Sequence, residues 1–315
     1  MRIAFLRAAV SAFCLFLTAC GGGGGTQVVS MPPPPPVTPT AFPLTTLGSF
    51  NTITADRIYQ LPSTGITVSK FGVASSSSAL TISYDPGNGT YTVQNSTAAA
   101  TFGAGDRSSN TYLDTYSKQS GTAADALTLF SNVRSGASQS GAPVQLTYLS
   151  YGSWSHDDSS SGDHRDSYFL FGYPTADAEM PRAGSATYST AVTGNLVSVF
   201  FSQGESSVNG SATFSADFGT GTVDTQLTLR TPAQNLIGTY VGTAPIAANA
   251  FAGTFTSSDD LYLNSGSFAG GFYGPNAKEM GYTFSIDRGV DDPYAGTTIL
   301  PGRSWIVGAV VGTKN

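Results

Sequence analysis

The strongest hydrophobic pattern in the chain is GSFAGGFYGPNAKEMGYTFSI at 266–286, in which two aromatic runs flank a glycine-punctuated break. Phe268, Gly270 and Phe272 fall on one side of the first run, and Met280, Tyr282, Phe284 and Ile286 on one side of the second. Gly274, Pro275 and Asn276 supply the break, so the spacing predicts a β-hairpin with one buried and one solvated face. Similar runs after Pro181 predict eight strands, at 185–199, 207–218, 222–230, 238–248, 250–256, 266–273, 279–287 and 304–313. The alternation is cleanest where Ala212, Phe214, Ala216 and Phe218 oppose Ser211, Thr213, Ser215 and Asp217. It is equally clean where Val223, Thr225, Leu227 and Leu229 oppose Thr222, Asp224, Gln226 and Thr228.

Short consecutive connections suit an antiparallel up-and-down β-barrel, which leaves no edge unpaired; a sandwich is the architectural alternative. Phe214, Phe218, Leu227, Leu229, Phe251, Phe255, Phe268, Phe272, Phe284 and Trp305 are the expected inward set. They would fill an eight-stranded interior and leave no lipocalin-like cavity. Outward Ser, Thr, Asp and Gln exclude a lipid-facing band.

Upstream, LTISYDPGNGTYTV at 80–93 predicts a hairpin turning on Asp85-Pro86-Gly87-Asn88-Gly89. VQLTYLSYGSWS at 144–155 and DSYFLFGY at 166–173 read as two further strands, whereas 103–142 is polar and Gly/Ser-rich and predicts no defined element. The first residues have another character. Arg2 and Arg7 precede an apolar run from Ala8 to Leu17, followed by Leu17-Thr18-Ala19-Cys20, which has the form of a bacterial lipobox. Gly-rich and then Pro-rich sequence follows to Pro43 and predicts an extended tether. The expected organisation is therefore a signal peptide at 1–19, a tether at 20–44 with Cys20 as the lipidation site, an all-β domain at 45–180 and a barrel at 181–315.

Composition narrows the function. Only 11% of residues are charged and the net charge is -6, with a pI near 4.7, which leaves no basic stripe for nucleic acid. Of the two cysteines, Cys14 lies in the apolar leader and Cys20 sits at its end, so no disulfide framework is expected. The chain has no G-x-S-x-G elbow, no H-E-x-x-H pair and no Walker-type loop, and it implies no enzyme and no cofactor. Both histidines, His156 and His164, fall in HDDSSSGDHRD at 156–166, a stretch read as a solvated hairpin tip rather than a metal site. Glu279, just after the break in the aromatic hairpin, is a candidate buried hydrogen-bonding carboxylate. The loop from Arg288 to Arg303 is long for a hairpin connection and carries Tyr294, Ile299 and Leu300. Those three, with Trp154, His156 and His164, are the candidate partner-contact residues.

The GFYGPNAKEMG string resembles the signature hairpin of the transferrin-binding-protein-B-like surface lipoproteins, in their C-terminal β-barrel. The strands at 144–155 and 166–173 are similar to part of that family's handle sheet, and MPRAGSATYSTAVTG at 180–194 resembles the opening strand of its barrel. The resemblance implies a single handle-and-barrel lobe on a lipid-anchored outer-membrane protein, facing outward, which binds a protein or a solute. A periplasm-facing structural lipoprotein and a small-solute or haem binder are the alternatives.

Overall fold

The computed structural model describes residues 44, 47–61, 66–74, 80–109, 113–130, 144–198, 204–257, 259, 262–289 and 303–315. The fold is all-β, a handle region followed by a closed eight-stranded antiparallel barrel. The handle comprises β1 (Gly48–Asn51), β2 (Ile53–Gln60), β3 (Thr67–Ala74), β4 (Thr81–Asp85), β5 (Thr90–Gln94), β6 (Ala99–Phe102), β7 (Arg107–Ser109), β8 (Leu113–Ser120), β9 (Ala123–Phe130), β10 (Leu149–Asp158) and β11 (Asp163–Gly172). A four-stranded sheet, β1-β4-β5-β6, lies against a seven-stranded sheet, β3-β2-β11-β10-β9-β8-β7. Ile82, Val93, Phe102, Leu127, Leu129, Trp154, Phe169 and Phe171 form the core between them. The stretch 103–142, for which the sequence predicts no element, supplies β7, β8 and β9, because Leu127 and Leu129 have a face to bury.

The barrel runs β12 (Ser185–Ser198), β13 (Gly204–Asp217), β14 (Thr222–Arg230), β15 (Leu236–Ala247), β16 (Ala250–Thr254), β17 (Leu263–Tyr273), β18 (Glu279–Gly289) and β19 (Arg303–Lys314), and β19 closes on β12. On β14 the alternation reads directly as burial, with Val223, Thr225, Leu227 and Leu229 inside and Asp224 and Gln226 outside. The lumen is filled. Phe214 of β13 meets Tyr282 of β18 with ring centroids 6.1 Å apart, and the Thr225 and Tyr282 hydroxyls hydrogen-bond across the interior at 2.9 Å.

Two expectations need correction. The 266–286 hairpin has no solvated face: every residue of β18 from Glu279 to Asp287 is buried. Its outer side lies against the handle, where Leu149, Tyr151 and Leu170 pack with Tyr273, Ala309, Val311 and Ala191. Gly281 makes room for that contact, since a methyl there would meet the Leu149 and Leu170 side chains at 2.8 and 3.0 Å. Trp305 points out of the barrel, not in. Ile306 and Val310 take the inward positions of β19, and Trp305 lies under the Arg303 guanidinium at 5.4 Å. Both faces of β19 are apolar, so alternation alone does not identify which is inside.

Candidate partner-binding end

The antiparallel order places the ends flanking the barrel's two longest connections, 255–262 and 290–302, at the same rim. Asp217/Thr222, Ala247/Ala250 and Tyr273/Glu279 end their strands at one rim and are joined by tight turns. Ser198/Gly204, Arg230/Leu236, Thr254/Leu263 and Gly289/Arg303 lie at the other rim, the last pair flanking the barrel's longest connection, 290–302. Leu236 and Tyr262 at this loop rim are 52% and 40% exposed.

The handle reaches toward the same end. Ile53, at the start of β2, lies beside Gly271 near the tight-turn rim, and Arg57 reaches the Trp305 carbonyl near the loop rim. β2 therefore runs toward the loop rim, and Gln60, paired with Asp163, brings the β10–β11 tip to that end.

At the tip, only Ser159–Gly162 forms the turn, and both histidines sit on strands rather than on a solvated loop. His156 Nδ1 lies 2.8 Å from the Asp125 carboxylate, which also accepts a 2.9 Å bond from Trp154 Nε1. This set faces the four-stranded sheet. His164 Nδ1 lies 2.8 Å from Asp157 on the opposite face, and its ring stacks on Tyr59 at 5.2 Å. Neighbouring strand positions thus send the two imidazoles to opposite sides of the sheet, where they do not converge on one ion. Trp154 is fully buried, so in this structure it supports the tip from within and offers no surface to a partner. Tyr151 is buried as well, stacked on Phe130 at 4.1 Å.

Two polar contacts fix the handle on the barrel. Glu279 is a buried hydrogen-bonding carboxylate, as its position in the sequence suggests. It accepts the backbone N–H groups of Thr147, Tyr148 and Leu149 at 2.7, 2.9 and 2.8 Å. Burial pushes its carboxyl above the ordinary carboxylate range, and the three donors offset this only in part. Fully buried Arg57 pairs with Asp166, donates to Asn195 Oδ1 at 2.6 Å, and lies over the Tyr59 ring at 5.0 Å. Sequence reasoning passes over Arg57, although two adjacent charges, Asp56 and Arg57, inside the strand-like run ITADRIYQ are themselves a sign of buried pairing.

Residues 180–300 match the family model of the C-lobe and N-lobe beta barrels of Tf-binding protein B. The barrel of this chain is similar to the barrels of that family. Among solved structures, intact Ap-TbpB (N and C lobes) aligns with a TM-score of 0.44 and 16% identity, over 84% of this chain and 46% of that one. The isotype 1 Tf-binding protein B of serogroup B Neisseria meningitidis gives 0.42 and 15%, over 84% and 43%. HpuA from Kingella denitrificans, solved in complex with human haemoglobin, gives 0.38 and 15%, over 86% and 88%. The chain thus spans less than half the length of the two Tf-binding proteins. No curated protein matches it.

In this barrel, the GPNAKE stretch is the tight turn that presents Glu279 to the handle. Asn276 and Ala277 both take left-handed backbone angles, and Tyr188 Oη holds the Ala277 carbonyl at 2.7 Å. Of the other candidates, Tyr294, Ile299, Leu300 and Cys20 lie outside the described residues.

Proposed function

We propose that this chain is a non-enzymatic binding protein, lipid-anchored through Cys20 to the outer membrane and facing outward, which captures a host or environmental protein at its loop end. One observation supports the reading: the strand ends that flank the barrel's two longest connections lie at the same end as the handle tip, on a barrel whose lumen is packed with side chains. Recognition then falls to the exterior, where loops on a rigid scaffold commonly carry it. The match of residues 180–300 to the Tf-binding protein B barrel model supports the same class, and the partner of this chain is a protein in that sense, with transferrin itself one candidate. Tyr294, Ile299 and Leu300 belong to the loop-rim connection and are the proposed contact residues there, with His164 and His156 at the tip.

The test is affinity capture from host serum and from culture medium. Mature protein is compared with a variant whose 290–300 segment is replaced by a short Gly-Ser linker. Capture that depends on 290–300, with an unchanged melting transition, is the expected result. Absence of any captured protein, together with protection of the chain from added protease on whole cells, favours the periplasm-facing structural alternative. The anchor is tested separately: Cys20→Ala should move the protein out of the membrane fraction, since stable attachment takes acyl chains.

A further inference from the structure

The barrel-facing side of the seven-stranded sheet is covered at one end and bare at the other. Near the tight-turn rim, Tyr151 and Leu170 lie under the barrel. Toward the tip the same side carries Ser117 and Ala126, both exposed, and the partly exposed Ala124 and Ser155. Two adjoining depressions of about 330 and about 250 Å³ lie over these residues and share Gln119, Ala124 and Asp157. Together they make a shallow groove with a floor of small side chains, over which a chain can approach closely.

The walls of the groove have a definite character. Asp157, Asp158 and Asp163 line its tip half. Hydrogen bonds from Ser160 hold the exposed Asp158 carboxyl below the usual carboxylate range, so it is ionised at neutral pH. Lys118, the cation lining the other half, donates its Nζ to the Thr101 carbonyl of the four-stranded sheet at 2.9 Å and so directs its charge elsewhere. Asp157 spends Oδ1 on His164, and its side chain is 48% exposed.

His164 supplies the second feature. Arg57, Tyr59 and His164 form a stack along this side of the sheet, guanidinium over phenol ring at 5.0 Å and phenol ring on imidazole at 5.2 Å with a 20° tilt. The Tyr59 hydroxyl, fully buried in this stack, has no hydrogen-bond partner among the described residues. One face of the imidazole lies on Tyr59, while the residue lines the groove with its side chain 32% exposed.

We infer that this groove takes a cationic segment of the captured protein, with an arginine side chain stacked on His164 and paired to Asp157. This rests on the reading of that end as the capture surface and names the chemistry of what it captures. An arginine suits the place better than a lysine: its planar guanidinium stacks on a ring and forks onto a carboxylate, whereas an ammonium is a strongly hydrated point charge. The negative wall also draws a basic surface in and turns an acidic one away.

The experiment uses the mature full chain and two probes, acetyl-Gly-Arg-Gly-amide and the same peptide with neutral citrulline for arginine. Saturable shifts of the His164 ring resonances and of the Ser159–Asp163 amides are expected with the arginine peptide. Citrulline, lacking the charge-assisted bond, should bind roughly tenfold or more weakly. Asp157→Asn should lower affinity for the arginine peptide by a similar factor at an unchanged melting temperature. Asp163→Asn, which leaves the Asp157–His164 contact in place, should lower it less. Equal response to the two peptides, shifts centred elsewhere, or full affinity in both variants overturns the inference. Partner capture that is unaffected by Asp157→Asn also overturns it while leaving the capture reading intact. Failure to capture any protein removes that reading without altering the peptide result.

Discussion

Arg57, midway along a handle strand, donates from Nη1 to the backbone carbonyl of Trp305 in the barrel at 2.7 Å. The bond joins two parts of the chain that are 248 residues apart, and the guanidinium making it has no exposure to solvent. Asp166 neutralises the charge from the same sheet and Asn195 holds it from the barrel side. A charge so placed is costly once it loses its counter-ion. Asp166→Ala is expected to destabilise the protein by about 3–5 kcal/mol in urea unfolding. Replacing Arg57 and Asp166 together by apolar residues of similar volume should cost much less than the sum of the single changes. Additive single and double changes would show that the pair does not act as a unit.

Glu279 makes the second junction, and its behaviour with pH tests the balance at that site. Its carboxyl lies above its ordinary value of 4.5 because burial outweighs three N–H donors. The native state then holds the proton more tightly than the unfolded chain does. The stability linked to this group is complete below 4.5 and is lost as pH rises through the higher native value. Glu279→Gln removes the titration, so the melting-temperature advantage of wild type over the variant should shrink between acid and neutral pH. An advantage that grows with pH would mean that hydrogen bonding to the ionised form is the stronger effect.

The sequence discloses some of this structure, and physical reasons separate the legible part from the rest. β14 is plain because one of its faces is wet, which preserves the period of two. The turns of β4–β5, β10–β11 and β13–β14 share an Asp-x-x-x-Gly form, in which Asp85, Asp158 and Asp217 bond nearby backbone N–H groups while Gly89, Gly162 and Gly221 take positive φ. β18 and β19 lose the period because the handle dries their outer face, and Trp305 is misread for that reason. The two histidines lie close together in sequence, yet the pleat sends them to opposite faces. Only the register, with His156 against Arg165 and Asp157 against His164, reveals it.

Phe272 tests the packed lumen. It is fully buried and meets Tyr188, Phe214, Phe218 and Phe251 with ring centroids between 5.5 and 6.3 Å. Truncation leaves a void among rings from three other strands and the β13–β14 turn that cannot all move in. Phe272→Ala should therefore cost about 3–5 kcal/mol, read by denaturant midpoint at constant slope. A loss below 1 kcal/mol would indicate a lumen loose enough to collapse or to admit a ligand.

The last expectation concerns the barrel by itself. Sequence alone treats 181–315 as a self-sufficient unit, since eight strands with one apolar face can close without help. The structure gives that unit a second apolar surface: Tyr273, Ala309, Val311 and Ala191 face out, under Leu149 and Leu170 of the handle. Excision uncovers them, and it also strips Glu279 of its three N–H donors and the Trp305 carbonyl of Arg57. The eight-stranded hydrogen-bonded ladder and the ring-filled lumen remain, so the fragment should keep its β-sheet circular dichroism and a cooperative melt. It should also melt well below the full chain, bind an apolar dye and self-associate at concentrations where the full chain is monomeric, because an exposed apolar patch of this kind seeks cover. A monomeric fragment that melts with the full chain and binds no dye would mean that the handle adds nothing to barrel stability. Arg57 and Glu279 would then serve only to aim the handle tip along the loop rim.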